Sequence, residues 1–449
     1  MIETAALNEV FDLTDPGANV LFDMSLEEAR HRVASGDAER VREIDGHFAL
    51  VARRGHSVRM ARSLQVPMRY FIVKQSAGPA LLVAHRIDAI ERWLDERGLG
   101  EQFHPSYTRM VPAHHITEIA LVGCPDPNPT YHRFFAPARE ALPGDLRAIG
   151  ERYIGALAGE IRKWLLRLPA DEPIGVSFSG GIDSGAVFLT LYHQMCELGL
   201  HLGRLKAFTL GVGPGGEDLA QARRFLAALD LQLYHEPVEV PDDYVDVERA
   251  IRVIEDYKPL DVQSGAMALA LCRGIRERYP DWRHLVDGDG GDENLKDYPI
   301  EENPELTIRS VLTNLMLYHE GWGVDSIKHS LTYSGGLSRG CARSYAPASH
   351  YGFSAFSPFT LPNVVEVSEG IPFIELTDWD HERLYRLKGD VVAAGIRALT
   401  GFEMPVFEKR RFQHGVAGAR LIEERFPQSP AAYRAAFQSI YDDRASAAR

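Results

Sequence analysis

The sequence predicts an α/β protein: a doubly wound parallel sheet with a helical C-terminal part, preceded by a smaller α+β domain. From Leu146 onward, short apolar runs alternate with segments of helical periodicity, which is typical of parallel strands covered by helices. Before residue 135, the apolar runs are separated by turns instead, which favours antiparallel strands. Between these regions, Cys124–Asp145 holds three prolines within seven residues, so neither a helix nor a central strand can continue there.

The elements of the first domain follow in chain order. The runs HFALVARRG, SVRMARSL, RYFIVKQ and ALLVAHRI are predicted as strands of an antiparallel meander. A helix is predicted near Ile87–Arg97, after the last of these strands. We therefore place a small α+β domain over residues 1–135 and the second domain over residues 146–449.

The second domain begins with a predicted helix at Leu146–Leu168, which leads into the strand IGVSFSG. A helix near Gly185–Leu198 comes next, followed by the strand LKAFTLGV, the helix LAQARRFLAALD and the strand LQLYHEPV. Helices over Val245–Asp256 and Ser264–Arg278 precede the strand HLVDGDG, and the chain from Pro304 onward is predicted to be mainly helical. In such sheets, ligands bind beyond the carboxyl ends of the strands.

Composition narrows the classes of function. The net charge of −14 and the lack of a dense basic run argue against a nucleic-acid partner. No apolar run approaches the roughly 18 residues that cross a bilayer, and the first residues carry acids where a signal peptide carries bases. We therefore expect a cytoplasmic protein with no membrane partner. The four cysteines form no CxxC pair, so neither a disulfide framework nor a zinc site is expected.

The most informative stretch is IGVSFSGGIDSGAVF, Ile174–Phe188, where a buried strand meets a glycine turn. Gly180 and Gly181 permit positive φ and leave room for an anion against the backbone. Ser184 can cap the following helix, whose first amide groups carry partial positive charge. Together these features predict a phosphate-binding loop. Asp183 would repel a phosphate unless Mg²⁺ lay between them, so the loop predicts a metal-bound polyphosphate.

Several segments in consistent order carry a resemblance to a known family. SGGIDS and the strand before it resemble the pyrophosphate loop of the ATP-pyrophosphatase group. LVDGDGGDENLKDY (Leu285–Tyr298) resembles the LSGEGSDE segment of asparagine synthetases, and FSPFTLPNVVEVSEGIP and VFEKRRFQHGV resemble their ARVPFLD and QKEQFSDGV segments. Over about Leu146–Gly415 the chain is thus similar to the asparagine synthetase and β-lactam synthetase family. The resemblance implies activation of a carboxylate by ATP, with release of pyrophosphate, and then amide formation with release of AMP.

The resemblance also implies how ATP is held. Asp183 and Asp292 would coordinate Mg²⁺ that bridges the phosphates, and the backbone near Leu210 and Gly288 would hold the adenine and ribose. The ATP-binding residues that it implies are Ser177, Ser179, Gly180, Gly181, Asp183, Ser184, Leu210 and Gly288.

Three further residues are implied in catalysis. Lys409 matches a lysine that stabilises charge in the second half-reaction, although a solvated lysine is the alternative interpretation. Asp289 takes the place of the glutamate in GEGSDE, where β-lactam synthetases have a tyrosine, so it favours asparagine synthetase chemistry. Ser354 replaces the glutamate of GVEARVPF, and Tyr351 is the nearby residue that we expect to compensate for it.

The first domain resembles the later part of a glutaminase domain, with DGHFA at Asp45–Ala49 where that domain has DGMFA. Ile2 follows Met1 where glutamine-using synthetases have their cysteine nucleophile, and the first cysteine is Cys124. We therefore expect a shortened, inactive glutaminase-like domain. The nitrogen would then come from free ammonia, from a separate donor protein, or from a substrate amine. A homodimer contact through this domain stays open.

Other interpretations remain open at this point. One is an intramolecular cyclase of the β-lactam synthetase type, and another is a catalytically inactive scaffold, against which the presence of Asp183 and Asp292 counts. Gly211–Gly216 fits GxGxxG, but Pro214 removes an amide from that turn. The pair His114–His115 is interpreted as part of a turn and not as a metal site. We expect ATP and Mg²⁺ as cofactors, a small-molecule carboxylate as substrate, and ammonia or an amine as its partner.

Overall fold

The computed structural model describes residues 9–120, 129–213, 216–298, 300, 306–314, 316, 319–320, 341–407, 415–416 and 419–447. The chain divides into two compact units. The first comprises Met1–Ala136, His319–Cys341 and Arg434–Arg449, and the second comprises Pro137–Tyr318 and Ala342–Tyr433. The domain boundaries from the sequence stay a prediction, and this division differs from them by giving two later segments to the first unit. No helix in the described ranges is both long enough and apolar enough to cross a membrane.

The first unit consists mainly of short strands. Its described strands are β1 (Glu9–Asp12), β2 (Val20–Leu21), β3 (Gly46–His47), β4 (Ala49–Arg54), β5 (Ser57–Arg62), β6 (Arg69–Gln75), β7 (Gly78–Ala84), β8 (Arg109–Met110), β9 (His115–Ala120) and β10 (Thr130–Arg133). Its described helices include α1 (Leu26–Ser35), α2 (Ala38–Arg42) and α3 (Ile87–Asp95). One sheet has the order β1-β7-β6-β8 and a second has the order β10-β9-β5-β4, while β2 pairs with β3.

The predicted meander is divided between these two sheets, which corrects the expectation of one continuous meander. The hairpin β4–β5 belongs to one sheet and the hairpin β6–β7 to the other. The chain between Arg62 and Arg69 passes from sheet to sheet, and Leu64, Val66 and Met68 are buried along it. Pro67 has no amide proton to donate to a strand partner, so a regular strand pairing cannot continue through this connection.

Alternate residues of the β6–β7 hairpin form a core with α3. The members of this cluster are Phe71, Val73, Ala80, Leu82, Ala84, Ile90, Trp93 and Leu94. Side chains two apart on a strand share a face, and residues three or four apart on a helix share a face, so both patterns meet here. Each large side chain that is fully buried contributes about 2 kcal/mol to folding.

The second unit contains a parallel sheet surrounded by helices. Its described strands are β11 (Ile174–Ser177), β12 (Leu205–Val212), β13 (His235–Val240), β14 (His284–Val286) and β15 (Ser354–Phe356). Its described helices are α4 (Leu146–Arg167), α5 (Ile182–Glu197), α6 (Asp218–Ala228), α7 (Val247–Ile254), α8 (Pro259–Arg278), α9 (Gly291–Asn294), α10 (Ile308–Thr313), α11 (Ala346–His350), α12 (Pro362–Glu369), α13 (Phe373–Thr377), α14 (His381–Thr400), α15 (Ala419–Arg425) and α16 (Pro430–Ala447), the last of which ends in the first unit.

The order of this sheet is β13-β12-β11-β14-β15, and every neighbouring pair is parallel. The predicted doubly wound α/β fold with a helical C-terminal part is therefore confirmed. β15 corrects the expectation that the chain is mainly helical beyond Pro304, because Ser354–Phe356 pairs with His284–Val286. The strand order reverses direction at β11, so the loops that follow β11 and β14 lie side by side at the carboxyl edge.

The long helix α14 packs against α4 and α5. Asp380 caps its N-terminus by accepting a hydrogen bond from the amide of Arg383 at 2.8 Å. Gly401 ends it in the left-handed conformation, with a φ of 75°. Its buried residues include Leu384, Leu387, Lys388, Val391 and Val392. A lysine thus lies on the apolar face of this helix.

Candidate active site

The loop after β11 is held in shape by its own hydroxyl groups. The amide of Ser179 donates to Oγ of Ser184 at 3.2 Å, and the amide of Gly181 donates to Oγ of Ser179 at 3.2 Å. Gly180 has a φ of +72°, and a Cβ there would lie 2.9 Å from the backbone of Ala222 on α6. Because that neighbour is backbone and cannot rotate away, the turn requires glycine. The loop thereby delivers the chain to the N-terminus of α5, where unpaired amides attract anions.

The loop after β14 lies directly against this helix start. A Cβ at Gly288 would lie 2.8 Å from the amide nitrogen of Ser184 and 2.9 Å from the carbonyl carbon of Asp183. A Cβ at Gly291, the first residue of α9, would collide with the carboxylate of Asp183. Because Gly288 and Gly291 have no side chains, the backbones of the two loops can come into contact. This approach brings Asp292 of α9 beside Asp183 of α5.

The two aspartates meet at the ammonium group of Lys388. Its Nζ donates to Oδ2 of Asp183 at 2.6 Å and to Oδ1 of Asp292, and it lies 3.4 Å from Oδ2 of Asp297. The side chain of Lys388 is 3% exposed, so this is a buried cation among three carboxylates. Burial lowers the pKa of Lys388, but the three carboxylates outweigh it and hold that pKa well above its usual value. Lys388 is therefore charged at neutral pH.

The carboxylates fit the resident metal that the resemblance implies. Among the described residues, no group of three or more His, Cys, Asp or Glu side chains is spaced to hold a metal ion alone. Mg²⁺ in phosphate sites takes one or two carboxylates and completes its shell with phosphate oxygens and water. Asp183 and Asp292 supply only oxygen donors and reach a common cation. Asp297 adds a third carboxylate, whose Oδ2 lies 3.4 Å from the same ammonium.

A second acidic group lies at the start of the β14 loop. Asp287 is buried, and its Oδ1 accepts the amide of Asp289 at 3.0 Å while its Oδ2 accepts the hydroxyl of Ser357 at 2.9 Å. Burial raises the pKa of Asp287 to about 7 despite these two hydrogen bonds. Burial and the carboxylate of Asp287 raise the pKa of Asp289 well above its usual value, although Ser344 and Arg343 oppose the shift. This cluster is therefore able to hold a proton near neutral pH.

Arg343 supplies the positive charge beside this cluster. It lies in the π-helical turn Cys341–Tyr345, and its Nε is 3.3 Å from Oδ1 of Asp261 on α8. Burial lowers the pKa of Arg343, but Asp261, Glu293, Asp289 and Asp292 outweigh it, so the guanidinium stays charged. The turn thus places a second cation, besides Lys388, among the acidic residues of these loops.

The remaining predicted residues lie as follows. Ser177 is the last residue of β11, and Leu210 is buried within β12, two residues before that strand ends. Tyr351 accepts a hydrogen bond from Arg249 through its hydroxyl at 3.4 Å, and its carbonyl accepts one from Nε of Arg276 at 3.0 Å. None of these contacts joins Tyr351 to Asp289, so its catalytic role stays a prediction. Lys409 lies outside the described residues and also stays a prediction.

The sequence analysis missed Lys388, Asp287, Asp297 and Arg343. For Lys388 a signal was present, because Leu384 lies four residues before it and Val391 and Val392 lie three and four residues after it. A lysine on the apolar face of a helix must find buried negative charge. No comparable signal marks Arg343, since its partners are distant in sequence.

The alternative motifs of the sequence have structural roles. Gly213 ends β12 with a φ of +55°, and the next two residues lie outside the described ranges. His114 is buried in the first unit, where its Nδ1 pairs with Oε1 of Glu320 at 2.9 Å. Nδ1 of His115 is bound to the carbonyl of Ala113 at 2.7 Å. His114 lies in a turn and His115 is the first residue of β9, so the prediction that the pair belongs to a turn is right for His114 alone.

Comparison with known proteins agrees with the geometry of the site. The family model for asparagine synthase matches residues 165–333, which include both Asp183 and Asp292. No curated protein matched the chain significantly. Members of this family are ATP-dependent ligases that form amides and usually use Mg²⁺ with ATP. The chain therefore carries an asparagine synthase domain over residues 165–333.

Proposed function

We propose that this protein adenylates a substrate carboxylate with ATP, releases pyrophosphate, and transfers the acyl group to ammonia or an amine with release of AMP. The observation that carries the proposal is the meeting of Asp183 and Asp292, from two different strand-end loops, at one buried cation, Lys388. A purely structural role does not explain why three carboxylates lie together beside a loop of the phosphate-binding type. Such charge is costly to bury unless ligand cations complete it.

Asp183 and Asp292 are the residues that would hold Mg²⁺. When bound there, the metal would neutralise negative charge on the phosphates of ATP. The chain's own groups do the rest of the binding. The amides at the start of α5 would face the pyrophosphate portion, and Gly180 permits the turn that presents them. Lys388 provides a permanent positive charge next to the same portion.

In the first half-reaction, the substrate carboxylate oxygen attacks the α-phosphorus of ATP. The bond from that phosphorus to the β-phosphate oxygen breaks, and pyrophosphate leaves with the electron pair. The amides of α5 and the ammonium of Lys388 stabilise the negative charge that grows on the leaving group. Activation is needed because a free carboxylate would have to expel oxide or hydroxide, whereas an acyl-adenylate expels AMP.

In the second half-reaction, the nitrogen attacks the acyl carbon and AMP leaves. The nitrogen must lose a proton, and we assign Asp289 to accept it, because Oδ2 of this carboxyl has no hydrogen-bond partner among the described residues. Lys409, by its match to the family lysine, is assigned to stabilise the oxyanion. Cys124 is the single cysteine in residues 1–135. We propose that this region has no glutaminase activity, so that nitrogen arrives as ammonia or as an amine.

The test is a product assay with Mg-ATP and a panel of carboxylates, with ammonium, with glutamine, and without a nitrogen source. We expect AMP and pyrophosphate in equal amounts, dependent on one carboxylate class, and no glutamate from glutamine. The matched controls are Asp183→Asn, which removes a site carboxylate, and Asp281→Asn, which changes an exposed aspartate. Formation of ADP and phosphate by the wild type, or full activity of Asp183→Asn, would contradict the proposal.

A further inference from the structure

Two aspartates two residues apart at the end of β14 are linked by a hydrogen bond. The amide of Asp289 donates to Oδ1 of Asp287 at 3.0 Å, which closes a tight turn through the side chain of Asp287. The other oxygen of Asp287 is occupied by the hydroxyl of Ser357, which follows β15. Asp287 is 4% exposed. Its side chain is thus fixed at both oxygens, and it fixes the backbone that carries Asp289.

The carboxyl group of Asp289 has hydrogen-bond partners for only part of its capacity. Ser344 hydrogen-bonds to its side chain, but its Oδ2 is buried and has no hydrogen-bond partner among the described residues. The charged groups that act on it are Asp287 on the same loop, Glu293 on α9, and Arg343 on the turn Cys341–Tyr345. Glu293 is also buried, and its Oε1 has no hydrogen-bond partner in the described part of the chain.

The charge balance around this turn is unfavourable if every acid is ionised. Arg343 acts on Asp289 and also lies 3.3 Å from Asp261, which has a second cation in Lys258 at 3.5 Å. Asp287 and Asp289 repel each other when both are ionised, and one proton on either of them removes most of this repulsion. The raised pKa of Asp287, to about 7, agrees with this reasoning.

We propose that Asp287 and Asp289 form a carboxyl pair that holds one negative charge, with Asp287 as a positioning residue and Asp289 facing the nitrogen nucleophile. This inference rests on the proposed function. In the segment that resembles LSGEGSDE, Asp287 stands where that pattern has serine, so the second carboxyl distinguishes this chain. Oδ2 of Asp289, which is buried and has no hydrogen-bond partner among the described residues, is the oxygen that we assign to the nucleophile.

The proton balance of the step is as follows. The nitrogen lone pair forms the bond to the acyl carbon, and the bond from that carbon to the AMP oxygen breaks with its electron pair going to AMP. In the reactive state the proton of the pair is on Asp287 and the negative charge is on Asp289. The nitrogen proton moves to Oδ2 of Asp289, so that each carboxyl then holds one proton and the pair has no charge. It returns the second proton to water after the products leave.

The alternative is that Asp287 only shapes the turn. Asp287→Asn separates the two roles, because the asparagine Oδ1 still accepts the amide of Asp289 while the charge is gone. If the carboxyl pair exists, this variant lowers the pKa of Asp289, since a neighbour that can ionise has been removed. Ser357→Ala instead raises the pKa of Asp287, because it removes a hydrogen bond that favours the charged form of Asp287.

The experiment measures the pH dependence of amide formation and, in parallel, the ¹³C carboxyl titration of aspartate-labelled resting protein. For Asp287→Asn we expect the acidic midpoint to move down by about one pH unit in both readouts. For Ser357→Ala the midpoint of Asp287 moves up, and for the exposed Asp281→Asn neither midpoint moves. An unchanged midpoint in Asp287→Asn by NMR overturns the carboxyl pair. If the wild type forms no amide but Asp287→Asn still shows the NMR shift, the proposed function is overturned and the carboxyl pair is established.

Discussion

The ammonium nitrogen of Lys388 lies 2.6 Å from Oδ2 of Asp183, although 205 residues separate them in the chain. A helix that follows the sheet thus neutralises the acid at the start of the helix that would face the phosphates. The same ammonium also reaches Asp292. The two assigned metal ligands therefore share a counter-charge before any metal arrives, and this keeps their carboxylates together.

Asp183→Asn and Asp292→Asn are each expected to reduce AMP formation at least 100-fold. Each change removes one negative charge and one hard oxygen donor from the assigned metal site while preserving the size of the side chain. The measurement is chromatographic quantification of AMP and pyrophosphate across a range of Mg²⁺ concentrations. Turnover within twofold of the wild type in either variant would show that the metal assignment is wrong.

Lys388→Met is expected to destabilise the protein in the absence of Mg²⁺ by about 3 kcal/mol, because it leaves neighbouring carboxylates without this ammonium. Added Mg²⁺ should restore part of the stability, because a divalent cation can replace the missing positive charge. Urea unfolding with and without Mg²⁺ measures this effect, with the exposed Lys74→Met as control. Equal stability of Lys388→Met and wild type at pH 8 without metal would contradict the buried ion cluster.

Gly288→Ala is expected to weaken ATP binding and to lower the free energy of unfolding by about 2 kcal/mol. Its new Cβ would lie 2.8 Å from the amide nitrogen of Ser184, so the two loops must separate. Gly155→Ala on α4 is the matched control, because no atom lies within 4 Å of its added Cβ. That control should stabilise the helix by up to about 1 kcal/mol. Similar effects of the two substitutions would show that the loops are not in tight contact.

Asp289→Asn is expected to slow amide formation at least 100-fold while ATP–pyrophosphate exchange continues. The asparagine cannot accept a proton from the nitrogen, but it leaves Asp183, Asp292 and Lys388 in place. Lys409→Ala should slow the same second step, if its assignment from the sequence is right. Single-turnover measurement of acyl-adenylate formation and decay separates the steps. If Asp289→Asn abolished exchange as well, the residue would belong to the first half-reaction.

The first unit is expected to lose stability on acidification through the pair His114 and Glu320. Burial raises the pKa of Glu320, but hydrogen bonds from His114 and Arg133 outweigh it, and the net pKa is below its ordinary 4.5. The stabilisation by ionised Glu320 is therefore complete above about pH 4.5, and it is lost as the pH falls through the lower pKa that Glu320 has in the folded protein. Burial lowers the pKa of His114 below 6.5 despite Glu320, so protonation below pH 6.5 also favours the unfolded chain.

The corresponding substitution is Glu320→Gln, which leaves Arg133 and His114 without their carboxylate partner. Arg133 donates to both oxygens of Glu320, at 2.8 and 2.6 Å. We expect a loss of about 2 kcal/mol at pH 7 and a flatter decline between pH 6 and pH 4. Hydrogen exchange of β9 and β10 measures this, and the exposed Glu101→Gln is the control. A variant that followed the wild-type pH profile would show that the buried pair contributes nothing.

Much of the second unit was predictable because its signals are local. The strand predicted as LKAFTLGV is Leu205–Val212 in the structure, and the glycine turn after β11 lies where its residues indicated. β15 was missed because three residues, Ser354–Phe356, are too few to show a period. The division of the predicted meander into two sheets depends on strand partners such as β9, which are distant in sequence.

The site was predictable only where its residues belong to continuous motifs. Asp183 and Asp292 each follow a strand and a glycine turn, so their types and positions could be interpreted from the sequence. Lys388 lies in a helix without a motif, and Arg343 lies in a short π-helical turn. Their roles arise from three-dimensional neighbours. The position of Lys388 on an apolar helix face could be recognised from the sequence, but the sequence did not indicate which acidic residues pair with it.

The placement of β15 and Lys388 has a consequence for dividing this protein into parts. Both follow the segment that matches the asparagine synthase family, which ends at residue 333. An expressed fragment cut at that point would carry Asp183 and Asp292 but expose the unpaired side of β14 and lack the lysine that pairs with both aspartates. A fragment that is meant to fold independently, for assays or for domain exchange, must therefore extend through α14.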